Sequence, residues 1–143
     1  MKRTLVSTPK KEADFLEYLD KASDGQFVGF DTEVTASLLR DRKDFSNISY
    51  AALLGISIAF EDEQTFYLPV RHRGSNVSYR TLRKAFRYLQ GVAKEGRLWA
   101  HNAKFGHQVM IREGFPLEGM LDSMVAAWLQ TGRHKGIGLK DLA

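Results

Sequence analysis

Residues Gln26–Glu33, QFVGFDTE, decide how the whole chain is read. A short apolar run, Phe27-Val28-Gly29-Phe30, ends in two carboxylates two residues apart. In a strand, side chains at i and i+2 share a face. Asp31 and Glu33 therefore project together from the end of a buried strand. Like charges held that close repel unless a counter-charge lies between them, and a divalent cation is the usual one. A solvated strand terminus is the plainer alternative for a motif this short.

Working outward, Asp24-Gly25 makes the turn into this strand. Lys10–Ala22 places Ala13, Leu16, Leu19 and Ala22 near helical spacing and reads as an amphipathic helix. Thr4–Ser7, ended by Pro9, reads as a short edge strand. On the other side, the mixed and charged stretch Val34–Ala51 reads as a loop. Leu53–Phe60, LLGISIAF, and Thr65–Val70, TFYLPV, flank a turn and form a hairpin antiparallel to the opening strand.

Ser78 caps a helix with Leu82, Ala85, Phe86, Leu89, Val92 and Ala93 on one face. Arg97–Ala100 follows as a strand parallel to the first if that helix is a crossover. Ala103–Glu113 reads as a helix closed by Gly114. Leu117–Leu121 reads as a brief strand, and Asp122 or Ser123 caps a last full helix. Leu139–Ala143 looks like one more helical turn. Hairpin strands followed by helix–strand alternation give an α/β fold. The expected architecture is RNase H-like, three-layered, with a mixed five-stranded sheet. A flavodoxin-like sheet is excluded, because no helices separate the first three strands.

The composition is that of a soluble globular domain: 143 residues, 43% apolar and 27% charged. One domain spanning 1–143 is expected. The absence of cysteine excludes disulfides, thiolate metal sites and a Cys nucleophile. No apolar run reaches membrane-spanning length, and the N-terminus lacks the pattern of a signal peptide. A cytoplasmic protein without a membrane partner is the default. The net charge is only +4, but Thr65–Lys94 holds no Asp or Glu while carrying Arg71, Arg73, Arg80, Arg83, Lys84, Arg87 and Lys94. Such a one-signed stretch suits a phosphate backbone or forms a plain solvated face.

Two further strand-to-helix junctions carry chemistry. Trp99–His107, WAHNAKFGH, places Asn102 and Phe105 near the carboxyl end of the sheet, where crossover folds hold their ligands. Helix capping and core packing are the alternatives for these two. Leu121–Leu129, LDSMVAAWL, has Asp122 at a cap position.

In this order, Asp31-Thr32-Glu33, His101-Asn102-Ala103-Lys104-Phe105 and Asp122-Ser123-Met124 resemble a DnaQ-like (DEDD) 3′–5′ exonuclease. The nearest likeness is to the proofreading domain of family A DNA polymerases, over residues 26 to 143. The resemblance implies hydrolysis of 3′-terminal nucleotides with two Mg²⁺ or Mn²⁺ ions. It assigns Asp31 and Glu33 to catalysis and metal binding. Val34, Thr35, Asn102 and Phe105 fall at positions that contact the frayed strand, and Asp122 at a structural one. The implied partners are a single-stranded DNA 3′ end, with RNA as the other polymer, and a polymerase domain or other replication protein. The implied setting is a bacterial or phage-infected cell.

Two departures qualify the likeness. The family's second motif reads N-x-K-[FY]-D, and Gly106 stands where its Asp would be. The third motif, a Tyr or His shortly before an Asp on a late helix, has no match before Ala143, so the domain is expected to be C-terminally truncated. His107 cannot replace the Asp: it points about 100° away on a helix and imidazole suits Mg²⁺ poorly. A glycine inside a helix also costs about 1 kcal/mol relative to Ala. The reading is therefore a weak or inactive nuclease. The alternative is a binding module of the same fold that has lost its chemistry.

Overall fold

A computed structural model describes residues 1–36, 51–133 and 135–142. The element order is β1 (Lys2–Leu5), α1 (Pro9–Lys21), β2 (Val28–Ala36), β3 (Ala51–Phe60), β4 (Gln64–Pro69), α2 (Tyr79–Lys94), β5 (Leu98–Ala100), α3 (Ala103–Arg112), β6 (Leu121–Asp122), α4 (Ser123–Thr131) and α5 (Leu139–Leu142). They build the expected α/β fold with a mixed sheet, ordered β1-β4-β3-β2-β5-β6. β2, β3 and β4 pair antiparallel, while β5 joins β2 and β6 joins β5 in parallel.

The sheet has six strands, not five. Lys2–Leu5 pairs in parallel with β4 and covers its outer edge. The opening strand is also longer than its apolar run: Val34–Ala36, expected in a loop, continue the pairing with β3. The rest of that loop reading, residues 37–50, lies outside the described residues. Before β6, the strand expected over Leu117–Leu121 shrinks to Leu121–Asp122. Gly119 interrupts it with a φ of +87°, and a Cβ there would lie 2.4 Å from the Ala93 carbonyl oxygen.

One sheet face is apolar because its alternate residues are. Val28 and Phe30 of β2, Ile58 and Phe60 of β3, Phe66 of β4 and Leu98 of β5 are buried there. α1 packs on it through Phe15, whose ring lies 5.0 Å from that of Phe66. α2 contributes Phe86 and Leu89, and α3 contributes Val109 and Met110. The opposite face carries Gly29, Ser57, Ala59 and Trp99. The C-terminal segment borders it through Ser123 and Leu139.

α1 and α2 differ in how their charges are set. α1 has Glu12 in its first turn, Lys21 in its last, and a Glu17–Lys21 ion pair. α2 contains no carboxylate. Its Arg80, Arg83, Lys84 and Arg87 make like-charge neighbours at i,i+3 and i,i+4, each costing about 0.2–0.5 kcal/mol. Gly91, exposed in the last turn of the same helix, adds up to about 1 kcal/mol.

Candidate active site

The pairing of β2 explains where its carboxylates stand. β5 follows β2 only to Phe30↔Ala100, whereas β3 follows it to Ala36. From Asp31 onward, β2 has lost its β5 neighbour. Asp31 and Glu33 lie at that opening, on one face, opposite Ser57 and Gly55. The register then shifts: Val34 pairs with Leu53, and Leu54 has no partner on β2. The Leu54 carbonyl instead accepts from the backbone N–H groups of Val70 and Arg71 at 2.7 and 3.2 Å. This fixes the chain leading to His72.

Glu33 has a partner that the sequence reading missed. The Tyr67 hydroxyl donates to Glu33 Oε2 at 2.6 Å and lies 2.8 Å from His72 Nε2. The phenol has one proton and gives it to Glu33, so the network assigns the Nε2 proton to His72 as donor to Tyr67. The His72 backbone N–H donates to Asn76 Oδ1 at 2.7 Å. Gly55 makes the arrangement possible, because a Cβ at that position would lie 2.2 Å from Tyr67 Oη. Burial pushes the Tyr67 phenol well above its ordinary pKa, and the bond to Glu33 and the charge of Glu33 add to the rise.

Asp31 is bonded at one oxygen by the adjacent Thr32 N–H, at 2.9 Å. The residue is exposed overall, yet its carboxyl is partly desolvated. Desolvation is the main cause of a raised pKa, with repulsion from Glu33 adding to it. The Thr32 N–H and the nearby His101 act in the opposite direction.

A cleft of about 220 Å³ brings Asp31 together with His101, Asn102, Phe105 and Gly106. A second groove of about 470 Å³ meets it at Asp31 and His101 and runs past Trp99 and Ser123. Asn102 sits in the left-handed region, at φ 59° and ψ 54°, and its side chain makes no capping bond. The cap comes from Asp122, whose carboxylate accepts from Asn102 N at 3.0 Å, Ala103 N at 2.8 Å and Met124 N at 2.9 Å. One carboxylate thus holds the starts of α3 and α4. Phe105 is half-buried, facing the cleft on one side and the core on the other. Val34 packs against the core, Thr35 is half-buried beside it, and neither lines the cleft.

Two histidines divide between cleft and scaffold. Ser123 Oγ donates to the Ala100 carbonyl at 3.3 Å and lies 3.1 Å from His101 Nδ1. His101 is thereby oriented at the junction of the two grooves. His107 accepts the Leu117 N–H at 3.2 Å and lines a separate depression with Lys104. It belongs to the scaffold.

Gly106 is buried, lines the same cleft as Asp31, and its backbone has no need of glycine. A Cβ there would meet Phe30 at 3.6 Å and Met120 at 4.0 Å, ordinary contacts. Among the described residues, no group of three or more His, Cys, Asp or Glu is placed to share a metal ion. Asp31 and Glu33 supply hard oxygen donors, and Gly106 supplies none.

A family model for a 3′-5′ exonuclease matches residues 4–143. The chain belongs to that family. DNA polymerase I of Borreliella burgdorferi is 28% identical over 126 residues, which are 87% of this chain and 12% of the relative. This exonuclease domain therefore spans about an eighth of that relative's length. Among solved structures, the EXD2 exonuclease domain superposes with a TM-score of 0.62 at 19% identity, covering 100% of this chain and 68% of the other. Pol1 of M. smegmatis, in complex with a DNA primer-template and dNTP, gives 0.53 at 15% identity over 90% of this chain and 19% of its own. These likenesses support the RNase H-like fold. Tyr67 and His72 are residues that the sequence reading of this exonuclease domain passed over, and His101 was quoted within the second motif without a role. A glycine inside an apolar strand, Gly55, was the available sign of close approach.

Proposed function

We propose that this exonuclease domain receives the 3′ end of a single DNA strand in the cleft between Asp31 and Phe105, and that it hydrolyses the strand poorly. The observation that carries the reading is the shared cleft of Asp31 and Gly106. The position that bears an Asp in the family pattern opens on the same cleft as the first carboxylate and here bears no side chain. Asp31 and Glu33 would hold one Mg²⁺ or Mn²⁺ ion in preference to two. When bound, such an ion supplies Lewis-acid activation of water and charge stabilisation at phosphorus. Metal use in the fold is supported by the EXD2 structures soaked in Mn with GMP and in Mg with dGMP.

The chain's own groups divide the remaining work. Tyr67 fixes one oxygen of Glu33 and leaves the other for ligand or ion. Phe105 offers a face on which a terminal base stacks. The uncommitted Asn102 amide bonds the strand, and Val34 and Thr35 support the terminal nucleotide from β2. The polymerase relative favours DNA over RNA, a polymerase domain as partner, and the cytoplasm of a bacterial or phage-infected cell as the setting. Among the described residues, no helix is long and apolar enough to cross a membrane.

Gly106 also favours a second reading, in which strand binding persists without chemistry. The two separate in one experiment on a 3′-labelled single strand with Mn²⁺. The exonuclease reading expects slow release from this chain and none after Asp31→Asn. It also expects Gly106→Asp to bind Mn²⁺ at least about tenfold more tightly and to degrade faster. If Gly106→Asp gains neither, and the strand binds equally well in EDTA, the binding-module reading replaces it.

A further inference from the structure

The basic window over Thr65–Lys94 does not serve the cleft as a unit. Arg71 is engaged by Glu113 in a two-point ion pair at 2.8 and 3.0 Å, and by the Leu53 carbonyl at 3.0 Å. The cations of α2 turn away. Arg80, Arg83, Lys84, Arg87 and Lys94 are all exposed. At about 100° per residue they share one face, opposite the Leu82, Ala85, Phe86 and Leu89 that are buried. Asp31 and Glu33 lie beyond the sheet on which that buried face packs.

None of these five cations is in an ion pair among the described residues. Glu12 reaches the start of α2, but its oxygens accept from Ser78 and Thr81. Gly91 lies on the basic face between Arg87 and Lys94, with open space where a Cβ would be. Clustered like charges weaken the free helix, and neither they nor Gly91 in its last turn improve its packing on the sheet. A surface set against its own helix in this way is where a ligand is to be sought. Arg80 to Arg87 spans about 10 Å of helix axis. Four cations in that length suit a polyanion of regular charge spacing, and Gly91 lets such a chain approach the helix backbone.

We propose that the exposed face of α2 is a second nucleic-acid contact, which grips the phosphate backbone of duplex DNA without reading its sequence, on the side of the sheet away from Asp31 and Glu33. Phosphate contacts of this kind position a protein and carry no base information. The contact requires neither metal nor an intact nuclease site.

The test is anisotropy of a blunt-ended duplex in EDTA across a salt series, which excludes metal-dependent binding at the cleft. The wild-type chain is expected to bind at low salt, with affinity falling linearly on logarithmic axes. Changing Arg80, Arg83, Lys84 and Arg87 together to Gln should flatten that slope by about 3.6, at about 0.9 per cation, and weaken low-salt binding more than about tenfold. Mn²⁺ binding and thermal melting report on the cleft and the fold, and neither should worsen. The single variant Arg83→Glu is expected to weaken binding in the same direction. No duplex binding at low salt, or an unchanged slope in both variants, overturns the proposal. Duplex binding that survives in a chain unable to bind Mn²⁺ leaves this contact standing while the nuclease reading falls.

Discussion

Two carboxylate sites stand on the strands that flank β5 and are finished differently. At the end of β6, Asp122 accepts three backbone N–H bonds from two helix starts. On β2, just past the end of its pairing with β5, Asp31 accepts one local bond and Glu33 one phenol, with desolvation and mutual repulsion raising the Asp31 pKa. A carboxylate saturated by backbone donors is part of the framework. A pair left with spare oxygens and an unfavourable field has capacity that the protein itself does not use, which is what the proposed ion site draws on. The difference explains why the plain capping reading was sound for Asp122, while the same residue type at Asp31 points to a ligand.

The sharpest way to break the comparison is Asp122→Ala. Removing three charge-assisted bonds should cost about 3 kcal/mol in urea unfolding, with both α3 and α4 loosened. A loss below about 1 kcal/mol would place Asp122 among ordinary surface caps. Next is Gly55→Ala, which forces the Tyr67 hydroxyl aside and should cost about 1–2 kcal/mol. Tyr67→Phe, which loses the hydroxyl's bonds to Glu33 and His72 in an exposed network, should cost about 1 kcal/mol and weaken Mn²⁺ binding measured by paramagnetic resonance.

Gly106→Ala should move stability the other way, by about 0.5–1 kcal/mol, since the helix gains propensity and the Cβ has room. The smallest effect is expected at Asp31. Its folded pKa lies above the unfolded value, so its contribution is most favourable at pH below the unfolded value and is lost as pH rises through the folded one. Asp31→Asn should therefore match the wild type near pH 3 and be equally or slightly more stable at pH 7. Wild type that is clearly the more stable at pH 7 would mean that Asp31 is a framework carboxylate after all.

Much of this was legible in residues 1–143 because its periodicities are clean. VGF before D-T-E, the LLGISIAF strand and the apolar face of α2 each have one physical solution. The i,i+2 rule correctly set Asp31 and Glu33 on one face. Less visible was anything created by pairing. The extension of β2 past Glu33 depends on β3, because Val34–Ala36 carry no strand pattern of their own. The edge strand was read at Thr4–Ser7, and only its pairing with β4 sets its bounds two residues earlier, at Lys2–Leu5. Tyr67 looked like an ordinary strand aromatic, since its reach to Glu33 crosses strands through the space left by Gly55. The window of cations read as one patch in sequence, and the fold divides it by committing Arg71 to Glu113.

The register shift after Glu33 has a consequence for motion. Up to Phe30, β2 is gripped by β3 and β5; from Asp31 it is held by β3 alone, and beyond Glu33 Leu54 interrupts even that ladder. Backbone amides before Asp31 belong to the last part of the sheet to open, while those from Val34 to Ala36 can exchange through local fraying. Asp31 and Glu33 sit at the border between these two regimes. The site is anchored at its root by the whole domain and can be displaced at its tip for much less.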